Sequence, residues 1–382
     1  MELNYALVHE WLTPKATGGS ELVVQEILQH IDAKLYALID FESTNSDSYL
    51  YCRQIGTTFL QNLPFARDGV QKYLPLLPIA IEQIDLREYD IILSSSHAVA
   101  KGVLTSPHQL HICYCHTPMR YAWDLTWDYL QGDRKGRGIT GIATRYLLHR
   151  LRQWDVISAN RVDYFIANSH HTARRIWRCY RRESQVIYPP VEVNRFAPLV
   201  KERFQRADFY LTVCRLVSYK KVELIVKAFN QLGKPLVVIG SGAQLSSLQA
   251  IAKSNIQLLG WQSQKIVEEY MAKAKAFVYA ACEDFGIALV EAQACGTPVI
   301  AYGKGGATET VKDIRSNPKE GTGLHFAQQS VPSLVETVEM FEKYESEISI
   351  EQCCLQAARF SPQVFQNSYL EFVESCSRKF IS

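Results

Sequence analysis

The stretch AFVYAACEDFGIALVEAQACGTPVIAY, residues 276–302, decides the fold. The apolar run 276–281 reads as a buried strand, CEDFG at 282–286 as a loop, IALVEAQA at 287–294 as a helix, and PVIAY at 298–302 as the next strand. Gly296 and Pro298 stop the helix. A strand that returns through a helix to another strand is the unit of α/β domains, whose parallel strands are covered on both faces and so read as continuous apolar runs.

In such sheets ligands settle beyond the carboxyl ends of the strands, where loops lead into helix N-termini that favour anions. Glu283 stands in such a loop, and Glu291 lies on the second turn of the helix. The backbone amides of Phe285, Gly286, Ile287, Ala288 and Leu289 lie at the helix start. This order suits a sugar hydroxyl at Glu283, a ribose diol at Glu291 and a diphosphate at the amides. Paired carboxylates also serve retaining glycosidases, but there they oppose each other across one bond. The structural alternative makes Glu283 a helix cap and Glu291 a surface residue.

Toward the N-terminus the pattern repeats: FYLTVCRL (209–216) reads as a strand, VELIVKAFNQL (222–232) as a helix, PLVVIGSG (235–242) and IQLLGW (256–261) as strands, with a helix after them to about Ala274. Arg215 closes the first of these strands and Lys220 lies just before the helix, so both cations can converge on phosphates. When a glycosyl diphosphate bond breaks, charge grows on the leaving oxygen, and a cation within about 4 Å stabilises it by on the order of 4 kcal/mol in a partly buried site. The alternative is a surface pair of basic residues. GSG, with Gly240, lacks the full dinucleotide spacing, which argues against NAD. GKGGATE (303–309) is a further glycine turn with Glu309 able to cap or bind.

The first half carries the same alternation. ALVHEWL (6–12), DIILSSS (90–96), HICYCH (111–116) and YFIANS (164–169) read as strands, and SELVVQEILQHI (20–31) as a helix. In TPKATGGSE, Gly18 and Gly19 let backbone approach a ligand and Ser20 is placed as N-cap. His116 ends a strand and is expected to open into the cleft, either as a general base or as a hydrogen-bonding partner of a sugar hydroxyl or a carbonyl. Arg120 and Asp124 stand shortly after it as acceptor-site candidates. The double proline of QVIYPPV (185–191) divides the chain into domains 1–190 and 191–364, and an aromatic-rich helix occupies 365–382.

Composition fits a two-domain globular chain of 382 residues, 47% hydrophobic and 21% charged. The formal charge is +2, yet residues 134–182 hold twelve basic side chains against Asp155 and Asp163. Such a segment either attracts phosphates, pyrophosphate-linked lipids or an acidic leaflet, or is a solvated arginine-rich face. No zinc-finger, RNP or basic-zipper pattern supports nucleic acid. QGDRKGRGITG (131–141) reads as a mobile loop, either a lid or a link between helices. The ten cysteines are scattered, several in apolar runs, as in a reducing compartment, and the start MELNYALVHEWL lacks a signal-peptide pattern. A cytoplasmic protein is expected, with membrane contact at most peripheral, at the inner face of the cell membrane through 134–182. No DxD triad is present, so no metal site is expected.

The motifs GG (18–19), HTPMR (116–120), IANS (166–169), IYPPVEVNRF (187–196), Arg215 with Lys220, GSG (240–242), EDFGIALVE (283–291) and the later GG with Glu309 occur in this order, and with them the chain resembles the retaining glycosyltransferases of family 4. The resemblance covers essentially the whole length and implies the GT-B fold, two Rossmann-like doubly wound domains facing a central cleft. It implies that Arg215 and Lys220 bind the diphosphate, Glu291 the ribose, and Glu283 with the backbone of Phe285 and Gly286 the donor sugar. Gly19 would lie near the phosphates, His116 near the transferred sugar, and the base near Gly260, Trp261 and Gln262. Cys214 and Lys221 replace glycines common in the family.

The expected activity is that of a hexosyltransferase that moves glucose or mannose from a UDP- or GDP-sugar to a glycan or polyprenyl-diphosphate-linked acceptor in exopolysaccharide or other polysaccharide biosynthesis. The resemblance implies retention without a metal and without any cofactor, the departing phosphate helping to deprotonate the acceptor. A nucleotide-sugar epimerase of similar shape and a non-catalytic nucleotide- or carbohydrate-binding protein remain the alternatives. The epimerase needs further acid–base carboxylates around the sugar, and a binding module does not need Arg215, Lys220 and Glu283 together.

Overall fold

The computed structural model describes residues 3–14, 18–124, 126, 138–201 and 206–381. The chain forms two compact units, one of residues 1–190 with 365–382 and one of 191–364.

The first unit holds a parallel six-stranded sheet: β1 (Tyr5–His9), β2 (Ala33–Ala37), β3 (Ile91–Ser96), β4 (Leu110–Cys115), β5 (Tyr164–Ala167) and β6 (Ser184–Val186), in the order β2-β1-β3-β4-β5-β6. β3 and β4 are buried along their whole length, as the apolar runs predict. Chain direction across the sheet reverses between β1 and β3, so their carboxyl ends open the crevice of this unit. The helix Pro362–Ile381 closes one face: Phe365, Tyr369, Val373 and Cys376, one helical stripe, are buried with Leu7, Leu93, Ile112 and Ile166.

The second unit holds β7 (Tyr210–Val213), β8 (Leu236–Ile239), β9 (Ile256–Gly260), β10 (Ala276–Tyr279), β11 (Val299–Tyr302) and β12 (Gly323–Phe326), ordered β12-β11-β10-β7-β8-β9, again all parallel. The connection order switches between β7 and β10, the neighbouring strands from which the chain winds outward in opposite directions, and a ligand crevice is expected at that point. Helix Val222–Leu232 packs Val222, Ile225, Val226 and Phe229 into the core with Leu334, Val338 and Phe341 of helix Val331–Tyr344. Both helices obey local rules at one end: Gly233 closes the first, and the Ser330 hydroxyl caps the second.

Four expectations are corrected. β2, β6 and β12 are strands beyond those read from the sequence, all at sheet edges. Ser20 is not the N-cap: Gly18 is, its amide donating to Glu21 Oε2 at 2.9 Å, while the Ser20 hydroxyl donates to the same oxygen. The loop expected at 131–141 lies outside the described residues as far as 137, and from Gly138 the chain is the helix Gly138–Ala159. The glycine turn at 303–309 runs into a short helix, Ala307–Thr310.

Candidate functional site

The switch point of the second sheet gathers the chemistry. After β7 the chain passes Arg215 and makes a short turn, Ser218–Lys220; after β10 it makes the loop 280–286 before helix Ile287–Ala294. Lys220 Nζ lies 2.5 Å from Glu283 Oε1 and donates to the Tyr279 hydroxyl at 2.9 Å, and that hydroxyl donates to Glu283 Oε1 at 2.9 Å. Burial pushes the Tyr279 phenol well up, and the Glu283 carboxylate adds to the shift, so the ring stays a neutral donor. Arg215 is exposed and donates to the Tyr219 hydroxyl at 3.0 Å, while Lys220 stands over the Tyr219 ring. Both expected phosphate cations thus border one tyrosine.

Lys221 has φ 56 and ψ 31 at the N-cap of helix Val222–Leu232. This left-handed conformation accounts for the departure at this position: a place that favours glycine holds lysine, at a cost of roughly 1 kcal/mol.

The loop before helix Ile287–Ala294 is clamped by the glycines that come after β11. Gly306 N donates to Glu283 O at 2.8 Å, and a Cβ at Gly306 would come 2.2 Å from the Phe285 carbonyl oxygen. Phe285 is buried edge-on against Phe360, and Gly286 adopts φ 93 as the helix N-cap. The first-turn amides at Ile287 and Ala288 have no helical acceptor by geometry. Leu289 N does not join them, because it donates to Gly286 O at 2.9 Å.

Glu291 stands on the same helix, where its carboxylate meets Arg195, whose Nη2 lies 2.6 Å from Glu291 Oε1. Burial raises the Glu291 carboxyl above the usual carboxylate range; Arg195 opposes the shift and Glu268 adds to it. At the end of β9, Trp261 projects 74% exposed, and Gln262 Nε2 donates to Leu259 O at 2.8 Å. Gly240, at the end of β8, donates its amide to Gly260 O at 2.8 Å, which ties these two loops together.

In the first unit the expectation that His116 is open is corrected. The residue is 9% exposed; its Nε2 lies 2.8 Å from Ser95 Oγ, its amide donates to Ser96 O, and its carbonyl accepts from Asn168 Nδ2. His9 Nδ1 reaches the same Ser95 hydroxyl at 3.1 Å. Beside them Glu10 is fully buried and accepts from the amides of residues 97–100. Burial would raise its carboxyl, but His97 and these amides outweigh that and hold it low. Asp124 is ion-paired with Arg175, which also donates to the Thr117 hydroxyl; Arg120 lies in the preceding turn, its carbonyl accepting from Trp123 N. Gly19 opens helix Gly19–His30.

The basic segment divides in two. Arg152, Arg161, Arg175 and Arg182 are engaged inside the unit, with Ala122 O, Glu82, Asp124 and Ala159 O respectively. Arg150, Arg178 and Arg181 are exposed, near exposed Tyr146 and Trp177. Among the described residues no helix is long and apolar enough to cross a membrane.

Two family models match the chain: "Glycosyltransferase Family 4" over residues 17–195 and "Glycosyl transferases group 1" over residues 198–353. The chain belongs to the family-4 glycosyltransferases of GT-B fold. A GDP-mannose-dependent monoacylated alpha-(1-6)-phosphatidylinositol monomannoside mannosyltransferase of Corynebacterium glutamicum is 31% identical over 191 residues, 43% of this chain and 50% of that protein. A GDP-mannose-dependent alpha-(1-6)-phosphatidylinositol monomannoside mannosyltransferase of Mycolicibacterium smegmatis is 30% identical over 38% of this chain and 46% of its own length. The chain therefore spans about half the length of the curated relatives it matches. Among solved structures, Anabaena HepE in complex with UDP-glucose aligns with a TM-score of 0.67 at 18% identity, covering 97% of this chain and 99% of that one. The likeness at that identity is one of fold.

Proposed function

We propose that this protein is a retaining, metal-independent hexosyltransferase that moves glucose or mannose from a UDP- or GDP-sugar to a glycan or lipid-linked acceptor in polysaccharide biosynthesis. The observation that carries the reading is the meeting of Lys220 and Glu283 at the switch point of the second sheet, with the amino end of helix Ile287–Ala294 beside them. On this reading the donor diphosphate displaces the internal partner of Lys220. Lys220 and Arg215 then face the phosphates, the first helical amides add their dipole, and Glu283 is left to accept from the sugar hydroxyls. The bond from the anomeric carbon to the diphosphate breaks with its electron pair passing to the phosphate oxygen. The acceptor oxygen bonds the same carbon from the same face, and its proton goes to the departing phosphate. Lys220 binds the diphosphate most strongly as its charge grows, which is the condition for accelerating the step.

Exposed Trp261 offers a stacking face to the base, and the names of the curated relatives support a hexose donor. Arg120 and Asp124 are assigned to the acceptor. The exposed arginines with Tyr146 and Trp177 support peripheral contact with an anionic lipid surface or a pyrophosphate-bearing acceptor.

The test is incubation with UDP-glucose or GDP-mannose without acceptor. Slow release of nucleoside diphosphate and sugar of retained configuration supports transfer. Inversion at C2, or failure to bind either sugar nucleotide, sinks the proposal.

A further inference from the structure

Arg195 belongs to no cation–phosphate pair, yet it is the hub of a second charged cluster in the same unit. It sits on the short turn Val193–Phe196, its guanidinium 4.5 Å from the Phe196 ring centroid, a stacking that limits its swing. From there its Nη2 meets Glu291 Oε1 at 2.6 Å and its Nε lies 3.2 Å from Glu268 Oε1, so one fork bridges two helices. Glu268 comes from helix Gln264–Lys273 and Glu291 from helix Ile287–Ala294. Both carboxylates are largely but not fully shielded: their side chains are 18% and 22% exposed.

We infer that Arg195 is the positioning residue of the ribose-reading carboxylate, holding Glu291 by Oε1 so that Oε2 is presented to the hydroxyls of a nucleoside diphosphate. The ion pair engages Oε1 and leaves the second oxygen to accept from a diol. A carboxylate reads a diol only as an anion, because each oxygen must accept. Burial and the neighbouring Glu268 both work against that anion, and Arg195 opposes them. Lysine in its place keeps the charge but loses the planar fork that spans the two acids.

The inference rests on the assignment of Glu291 to the ribose, and the experiment separates the two. Calorimetric titration compares the tighter-binding of UDP and GDP with its 2′-deoxy counterpart, using wild type, Glu291→Ala, Arg195→Gln and Arg195→Lys. Wild type prefers the ribonucleotide by about tenfold, the worth of one charge-assisted hydrogen bond. Glu291→Ala and Arg195→Gln bring the ratio to within about twofold, while affinity for the deoxynucleotide holds because the phosphate grip is untouched; Arg195→Lys keeps an intermediate ratio. If Glu291→Ala erases the preference and both Arg195 variants keep it whole, the ribose assignment stands and the inference about Arg195 falls. A preference that survives Glu291→Ala removes both. Equal weakening of both nucleotides with the ratio intact marks Arg195 as merely structural and likewise overturns the inference.

Discussion

Lys220 and Glu283, sixty-three residues apart in sequence, form an ion pair of 2.5 Å at the carboxyl ends of β7 and β10. Both side chains are largely shielded, so each keeps the other from being an uncompensated charge. Their roles nevertheless part when donor binds. Lys220→Ala weakens nucleoside diphosphate binding and slows transfer by roughly 10²–10³, the cost of removing one donor aimed at developing charge. Glu283→Ala slows transfer comparably but leaves most of the nucleotide affinity. In thermal unfolding the double variant loses less stability than the two single losses combined. Kinetics, calorimetry and melting of the three variants check this; full transfer activity in either single variant contradicts the assignment.

The loop that carries Glu283 depends on Gly306. A Cβ there would meet three backbone atoms of Phe285 at 2.2–2.5 Å, and backbone cannot turn aside as a side-chain tip can. Gly306→Ala therefore displaces the loop 282–286, with a stability loss of about 1–3 kcal/mol by overpacking and a drop in transfer rate that exceeds any loss of fold. Circular dichroism melting and kcat measured on the same preparation decide it; wild-type kcat with an unchanged melting temperature is the opposing result.

The interior strands were legible because parallel strands covered on both faces must be apolar throughout, as in β3, β10 and β11. The edge strands β2 (AKLYA), β6 (SQV) and β12 (GLHF) were not, because Lys34, Tyr36, Ser184, Gln185 and His325 are partly buried or exposed and break the run. The carboxylates and cations of the site could be named from their loops. Their partners could not: Arg195 reaches Glu291 across 96 positions and Tyr279 reaches Lys220 across 59, and no local spacing encodes such pairs. Tyr279 ends a strand that points at the site, which was the one available signal. Ser20 is not the cap because the Glu21 side chain closes on the Gly18 amide from the third position, one half of a capping box that needs no hydroxyl at the cap itself.

The buried chain His9, Ser95, His116 favours one nitrogen of His116 as the carrier of its proton. His9 Nδ1 lies 3.2 Å from the Ser95 carbonyl oxygen, which can only accept, so Nδ1 is protonated. The Ser95 hydroxyl then accepts from His9, and donation of its own proton to His116 Nε2 favours the His116 form protonated at Nδ1. In the proposed transfer this form casts His116 as a hydrogen-bond donor rather than as a general base. Nitrogen-15 NMR of the wild type should show the Nδ1–H form, and Ser95→Ala should mix the tautomers and slow transfer by about tenfold, the worth of one lost hydrogen bond to a reacting group. A dominant Nε2–H form in the wild type would remove this role.

Asp313 makes unit two sensitive to acid. Its carboxylate accepts from Arg315 Nε at 2.9 Å, from the Arg315 amide at 3.0 Å and from the His325 amide of β12 at 2.9 Å. Burial alone would raise this carboxyl, but the Arg315 guanidinium and the two amides outweigh it and hold it below its ordinary value. A carboxyl depressed in the folded state contributes stability that is fully present above its unfolded value, about 3.9, and is lost as pH falls through the folded value. Wild-type protein therefore loses stability below about pH 4 in part through this residue. Asp313→Asn is less stable at pH 7 by about 1–3 kcal/mol, from lost charge-assisted bonds, and the gap to wild type narrows as the pH falls from about 4 to about 2. Urea unfolding at neutral pH and at two acid points measures both limbs, and a gap that stays constant across that range means that Asp313 is not the group whose protonation loosens β12.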